Sequence, residues 1–128
     1  MSRITESQRE QVRHRAEGRC EYCRKPELVS TYGYHVDHII PIAHGGNSEP
    51  TNLAWAYFEC NINKGRDVAS YDPVTRLLTP LYNPRTDIWE QHFAFQGARV
   101  VGVSAIGRVT VRLLSLNAPD QIETRQLL

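Results

Sequence analysis

The apolar and polar positions of the N-terminal segment predict a surface helix. Thr5, followed by Gln8 three residues later, fits a capping box, and Gly18 fits the position just after a helix. Few apolar residues lie between them, so the helix predicted over residues 5–18 has a thin apolar face. We therefore expect this helix to lie on the surface of the domain.

The next apolar segments predict two short strands and a helix. Residues 34–40 are rich in strand formers, and Pro41 ends the run because proline has no N–H to give to a sheet. Residues 44–51 are dense in turn-forming types, which predicts a loop. Residues 53–56 form the second predicted strand, and a short helix over 58–63 follows it. The predicted order is strand, loop, strand, helix.

The C-terminal half is predicted to contain further short elements separated by proline-rich turns. We predict an extended piece over 77–82, a short helix over 87–93 and a hairpin over 95–103. The apolar residues of 106–116 fit both helical and alternating spacing, and we predict a helix because the segment is long. Pro119 suits the first position of a last short helix.

Length and composition are those of an ordinary globular protein. The chain has 128 residues, of which 41% are hydrophobic and 23% are charged, and its formal net charge is +1. These values predict one domain over residues 1–128. A net charge this small gives no large field for binding nucleic acid, so charge alone does not decide the partner. The sequence shows no apolar run of membrane-spanning length and no secretory signal, so we expect a cytoplasmic protein without a membrane partner.

Three side chains around the predicted strands and helix are candidates for phosphodiester hydrolysis. This reaction needs a base to activate water and a cation to offset the negative charge that develops at phosphorus. His38 is the candidate base, because a free imidazole has a pKa of roughly 6.5 and is mostly neutral in the cell. Asp37 and Asn61 offer a carboxylate and an amide oxygen, which suit Mg²⁺ because this ion needs few protein ligands. Adjacent strand residues point to opposite faces, so Asp37 and His38 share a site only where the strand ends or bends.

The order of these residues resembles the signature of the HNH endonuclease family. The matching motif is Asp37-His38, then Gly45-Gly46, then Asn52-Leu53, then Asn61 followed by Lys64. The rest of the chain is similar to small standalone bacterial HNH proteins through Asp72-Pro73, Pro80-Leu81-Tyr82-Asn83-Pro84-Arg85, Trp89-x-x-His92-Phe93, Gly107-Arg108-x-Thr110 and Leu116-Asn117-x-Pro119. The resemblance implies an α+β fold. Its ββα-metal (His-Me finger) core would span residues 19–66, after an N-terminal helix and before a C-terminal α/β extension over 67–128.

The same resemblance implies a role for each matching residue. His38 would be the general base, and Asn52 would orient it. Asp37 and Asn61 would hold the catalytic divalent ion, for which Mg²⁺ is favoured and Mn²⁺ is the alternative. Lys64 would lie near the phosphate of the substrate, which is nucleic acid and by preference DNA.

Four basic residues flank the predicted site in sequence and are candidates for contacts with substrate phosphates. Lys64 and Arg66 follow the last motif residue, and Arg24 and Lys25 come shortly before the first strand. Arginine suits bidentate contact with phosphate, whereas solvated surface cations are the alternative explanation for each of the four.

Three cysteines are candidates for part of a zinc site. Cys20 and Cys23 form a Cys-x-x-Cys typical of half a zinc knuckle, and Cys60 follows the second strand. The family's knuckle has two such halves, and the second would place a cysteine at the position of Tyr57. A structural zinc takes four ligands, so the sequence leaves two alternatives open. Either zinc is bound with a fourth ligand from a histidine or water, or the thiols pack as small hydrophobes around Tyr57.

Two other functions fit parts of the same pattern. One is a nucleic-acid-binding or protein-binding module that kept the fold without catalysis, although such a module has no need of Asp37, His38, Asn52 and Asn61 together. The other is a nuclease that acts on RNA or needs an activating partner. The sequence leaves the oligomeric state open.

Overall fold

The computed structural model describes residues 4–30 and 32–128, which form four α-helices and three two-stranded antiparallel sheets. In chain order the elements are α1 (Glu6–Arg15), β1 (Tyr34–His38), β2 (Leu53–Tyr57), α2 (Phe58–Lys64), β3 (Ala69–Tyr71), β4 (Leu78–Pro80), β5 (Phe93–Gln96), β6 (Arg99–Gly102), α3 (Ala105–Leu113) and α4 (Pro119–Arg125). None of the helices in this described part is long and apolar enough to cross a membrane. The mixture of helices and small sheets agrees with the mixed α and β class expected from the sequence.

Helix α1 begins where its capping sequence predicts. The Thr5 hydroxyl accepts a hydrogen bond from the Gln8 N–H at 3.1 Å, and the Gln8 side chain accepts one from the Thr5 N–H at 2.9 Å. The helix ends at Arg15, earlier than predicted. Glu17, with a φ of 56°, takes the left-handed position that the sequence predicted for Gly18, and Gly18 is the next residue of the same turn.

Strands β1 and β2 pair in the sheet that carries the candidate residues. Asp37 lies opposite Ala54, and His38 lies opposite Leu53. All of β2 is buried, because both α1 and α2 pack against it. Helix α2 begins directly after β2, so the predicted order of strand, loop, strand and helix is confirmed.

A second hairpin follows α2 and was only half predicted. Strand β4 lies within the extended piece expected over 77–82, but its partner β3 was not predicted from the sequence. Ala69 lies opposite Pro80 and Tyr71 opposite Leu78, and both Tyr71 and Leu78 are exposed. Two such short, exposed strands lack the alternation of buried and exposed residues that would have revealed β3.

Aromatic side chains attach the C-terminal segment to the turn that carries Tyr22. Trp89 and Phe93 are 4% and 2% exposed, so they share a buried face as predicted. The backbone there is a single 3₁₀ turn at Trp89–Gln91 rather than the predicted helix over 87–93. The Trp89 indole Nε1 donates a hydrogen bond to the Tyr22 carbonyl at 2.9 Å, which links the two halves of the chain.

Helix α3 confirms the helix predicted over 106–116, and its backbone approaches the β5–β6 hairpin closely. The Ser104 hydroxyl caps the helix by accepting a hydrogen bond from the Gly107 N–H at 3.0 Å. A Cβ added to Gly107 would lie 1.9 Å from the His92 carbonyl oxygen, and one added to Gly102 would lie 2.4 Å from the Arg108 nitrogen. Glycine at these two positions therefore lets helix and hairpin backbones touch.

We expect Gly107→Ala to destabilise the protein by about 3 kcal/mol, because the new methyl group cannot fit against the His92 carbonyl unless α3 moves. The matched control is Gly33→Ala, where an added Cβ meets no described atom within 4 Å. Its expected effect is at most about 0.5 kcal/mol. Urea unfolding of both variants and the wild type measures these values. Equal stability of the two variants would contradict the close contact of α3 with the hairpin.

Candidate active site

One pocket brings together four of the residues that the sequence singled out. Asp37 and His38 at the end of β1, Asn61 from α2 and the exposed Arg66 all line a cavity of about 290 Å³. Pro41 and the two residues after it form the remaining wall, where the chain turns away from the sheet. Asp37 and His38 can face one pocket despite being strand neighbours because β1 ends at His38.

The imidazole of His38 is half-buried and has one partner in the protein. Its Nε2 lies 2.8 Å from the Ser48 hydroxyl, in the loop between β1 and β2. No described residue bonds to the Nδ1 atom of His38, which leaves that nitrogen available to a ligand in the pocket. Ser48 was not predicted from the sequence, because a serine in a turn-rich loop carries no signal of such a contact.

The Asn52 side chain holds the loop that carries Ser48. Its Oδ1 accepts a hydrogen bond from the Ile40 N–H at 2.9 Å, and its Nδ2 donates to the carbonyls of Ile40 at 3.0 Å and Asn47 at 2.8 Å. A Cβ on Gly46 would lie 1.7 Å from the Ile40 oxygen, so the loop closes only with glycine there. The orienting role predicted for Asn52 stays a prediction, and this geometry makes it indirect, through the loop.

Asp37 lies inside a buried hydrogen-bond network. Its side chain is 4% exposed, and its Oδ2 accepts a hydrogen bond from the Tyr22 hydroxyl at 2.6 Å. Its Oδ1 lies 3.2 Å from the Lys64 ammonium. Burial raises the pKa of Asp37 above its usual value, and the positive charge of Lys64 and the hydrogen bond from Tyr22 oppose that rise. Asp37 is therefore a structural residue as well as a candidate ligand.

Lys64 is buried away from the solvent, and this position argues against the phosphate contact that stays a prediction for it. The side chain is 1% exposed, and its ammonium donates to Asp37 and to the carbonyls of His38 at 3.1 Å and Ile39 at 3.0 Å. A buried ammonium group needs hydrogen-bond acceptors in place of water, and these three oxygen atoms supply them to Lys64.

Of the other predicted phosphate contacts, only Arg66 is both exposed and in the pocket. Lys25 is 1% exposed; its ammonium donates to the Thr124 hydroxyl at 2.9 Å and lies 3.8 Å from the Tyr57 ring centre. This burial argues against the phosphate contact predicted for Lys25. The Arg24 guanidinium lies 5.1 Å from the ring centre of Trp89, in the C-terminal segment, and Arg24 does not line the pocket.

The donor set of the pocket fits a hard divalent cation. A carboxylate has about four lone-pair positions, so Asp37 keeps acceptor capacity beside its bonds to Tyr22 and Lys64. The Asn61 side chain makes no hydrogen bond with any described residue, and its amide oxygen is free to bind. One carboxylate and one amide oxygen are suitable ligands for Mg²⁺, which keeps several waters. The neighbouring ammonium of Lys64 reduces the attraction of Asp37 for such an ion.

The three cysteines form a separate, fully buried cluster. The Sγ atoms of Cys20, Cys23 and Cys60 all lie within 4.8 Å of one another, a spacing that could hold a metal ion. Tyr57, at the position expected for a fourth cysteine, is 1% exposed and packs its ring 5.5 Å from that of Tyr34. The ring of Tyr57 thus fills the space in the core as the zinc-free alternative expected, but the cluster itself is assembled.

The chain matches the model of a known protein family. Residues 20–67 match the family model described as HNH endonuclease. The matched segment contains the pocket residues Asp37, His38, Asn61 and Arg66 and all three cysteines. Searches of curated proteins and of solved structures found no match to this chain.

We expect Lys64→Met to lower the free energy of unfolding by about 3–5 kcal/mol, because it leaves the Asp37 carboxylate buried without its counter-charge. The double variant Asp37→Asn/Lys64→Met should recover most of that loss, since it buries no charge. Urea unfolding at neutral pH measures both. If Lys64 contacted phosphate instead, the single variant would keep wild-type stability and only bind nucleic acid more weakly.

Proposed function

We propose that the protein, whose residues 20–67 match the HNH endonuclease family model, is a metal-dependent endonuclease that hydrolyses phosphodiester bonds in DNA. The observation that carries the proposal is the shared pocket of Asp37, His38 and Asn61, with Arg66 beside them. A candidate base, two oxygen donors for a cation and an exposed guanidinium are the groups that this reaction needs.

His38 is the proposed general base, and Ser48 holds its ring in place. In the tautomer in which the Ser48 hydroxyl accepts a hydrogen bond from Nε2–H, at 2.8 Å, Nδ1 is the basic nitrogen of the ring. Nδ1 then takes a proton from the water that attacks phosphorus. A base held in this way contributes roughly 10²–10⁴-fold to the rate of such a step.

Asp37 and Asn61 are the proposed ligands of the divalent cation, with Mg²⁺ favoured and Mn²⁺ as the alternative. When bound, the cation would offset negative charge on the phosphoryl oxygens and on the leaving oxygen. Arg66 is proposed to bind a phosphate oxygen at the edge of the pocket, because its exposed guanidinium suits phosphate geometry. The proposed products carry 5′-phosphate and 3′-hydroxyl ends.

The proposed organisation is one nuclease domain over residues 1–128. Residues 19–66 would be the ββα-metal core, and residues 67–128 would be an extension that supports it. The hydrogen bond from Trp89 to the Tyr22 carbonyl supports this organisation, because the Tyr22 hydroxyl also donates a hydrogen bond to Asp37 in the core.

We expect the wild-type protein to cleave plasmid DNA with Mg²⁺ or Mn²⁺ and His38→Ala to be at least about 100-fold slower. The matched control is His35→Ala, which removes an exposed histidine of the same strand that packs near Phe58 and should leave the rate unchanged. The measurement is the cleavage rate on single-stranded and double-stranded DNA and RNA.

Each outcome of this assay separates the alternatives. Equal cleavage by wild type and His38→Ala would contradict the assignment of the base. Binding of nucleic acid without cleavage, whichever metal is added, would favour the non-catalytic binding module. Cleavage of RNA but not of DNA would show that RNA is the substrate.

We expect Asn61→Ala to raise the Mg²⁺ concentration needed for half-maximal cleavage at least about 10-fold, because the pocket loses an oxygen ligand. Stability should change by at most about 0.5 kcal/mol, since the Asn61 side chain has no hydrogen bond to a described residue. The control Asn63→Ala removes the 2.9 Å bond to the Leu114 carbonyl. It should cost about 1 kcal/mol and leave the Mg²⁺ dependence unchanged. Metal titrations and urea unfolding give both values; an unchanged Mg²⁺ requirement in Asn61→Ala would remove Asn61 from the site.

A further inference from the structure

A buried glutamine of the C-terminal helix lies beside the cysteine cluster. Gln121 of α4 is 0% exposed, and its Nε2 lies 4.0 Å from the Cys60 Sγ. Its Oε1 is buried and has no hydrogen-bond partner among the described residues. A carbonyl oxygen buried without any partner is unfavourable, so its presence here calls for a ligand.

The amide of Gln121 can turn its oxygen toward the cluster. The nitrogen and oxygen ends of a glutamine amide have the same shape, and which end points where is assigned from its partners. A thiol is a weak hydrogen-bond acceptor, so the present contact of Nε2 with Cys60 stabilises little. Rotation by half a turn places Oε1 in that position, next to the Cys60 sulfur.

The spacing of these four atoms suits zinc. Tetrahedral zinc with three thiolates and one oxygen holds its ligand atoms about 3.6–3.8 Å apart. The Sγ atoms lie within 4.8 Å of one another, and the Gln121 amide reaches to 4.0 Å from Cys60. Small movements of the four side chains would therefore close a complete coordination sphere.

The charge around the cluster is also complementary. Zinc with three thiolates and a neutral amide carries one net negative charge, which needs a buried counter-charge. The Lys25 ammonium lies on the ring of Tyr57, one turn of chain from Cys60, and the Lys25 carbonyl accepts a hydrogen bond from the Cys20 N–H at 3.0 Å. The ion pairs of the described residues include none for Lys25, and its positive charge acts on the Cys23 and Cys60 thiols as well as on the Glu59 and Asp120 carboxylates, so it offsets part of the negative charge of the cluster.

We propose that Gln121 is the fourth ligand of a structural zinc site with Cys20, Cys23 and Cys60. The Gln121 side chain supplies the ligand that Tyr57 cannot give, from a part of the chain outside the segment that matches the family. Zinc at this site would tie α4 to the turn of Cys20 and Cys23 and to α2. The proposal is independent of the nuclease activity and does not involve the pocket of His38.

The test compares Gln121→Leu with wild type in the zinc-loaded and chelator-treated states. Without metal, Gln121→Leu should melt at or above the wild-type temperature, because it removes an unpaired buried oxygen. With zinc, the wild type should gain more thermal stability than the variant, and the variant should bind zinc at least about 10-fold more weakly. The control Gln126→Leu changes an exposed glutamine just after the same helix and should behave as wild type in both states.

Cobalt substitution and a second variant identify the ligand itself. Co²⁺ in wild type should show the visible absorption of a tetrahedral site, and Gln121→Leu should change that spectrum. Gln121→His supplies a nitrogen ligand and should keep tight zinc binding with a shifted Co²⁺ spectrum. This variant tests whether residue 121 is a ligand even if the leucine variant does not fold. Wild type that binds no zinc would overturn the proposal. So would zinc affinity and cobalt spectra that are the same in wild type, Gln121→Leu and Gln121→His.

Discussion

The arrangement of the candidate site depends on one buried cation. Lys64 is 1% exposed, and an ammonium group removed from water must be surrounded by acceptors. The Asp37 carboxylate and the carbonyls of His38 and Ile39 supply them. Lys64 is the last residue of α2, and its acceptors lie at the end of β1 and just after it. The Lys64 ammonium therefore fixes the helix against the strand. Asn61, one turn earlier on α2, is thereby held at the same pocket as Asp37 and His38.

Local patterns were sufficient to predict most elements, whereas the contacts between distant segments were not predictable. The Thr5 capping box and the strand-loop-strand-helix order are short-range features, and both are present in the structure. The motif also selected residues that meet in one pocket. It could not reveal that Lys64 is buried, since lysine is almost always exposed and its acceptors lie far away in the chain. Ser48 and Gln121 were missed for the same reason, because their partners become neighbours only when the chain folds.

The C-terminal segment forms part of the core around the cysteines. The Thr124 hydroxyl accepts a hydrogen bond from Lys25, and Gln121 lies against Cys60. The Arg125 side chain is 5% exposed and donates to the carbonyls of Ala98, at 2.9 Å, and Leu116. Helix α4 thus packs beside the cluster and brings both polar and charged groups with it. A short helix of this kind is held by such tertiary contacts rather than by its own propensity.

On the proposed function, Asp37 serves two cations at once. The Lys64 ammonium stays 3.2 Å away, and a divalent ion in the pocket would use the remaining lone pairs of the same carboxylate. Two positive charges that share one carboxylate repel each other, so Lys64 weakens the hold on the metal while the pocket contains no other anion. A substrate phosphate brings negative charge to the pocket and offsets that repulsion. By thermodynamic linkage, the metal and the phosphate then strengthen each other's binding. A carboxylate that is already paired within the fold is therefore suited to a metal that stays exchangeable until substrate is bound.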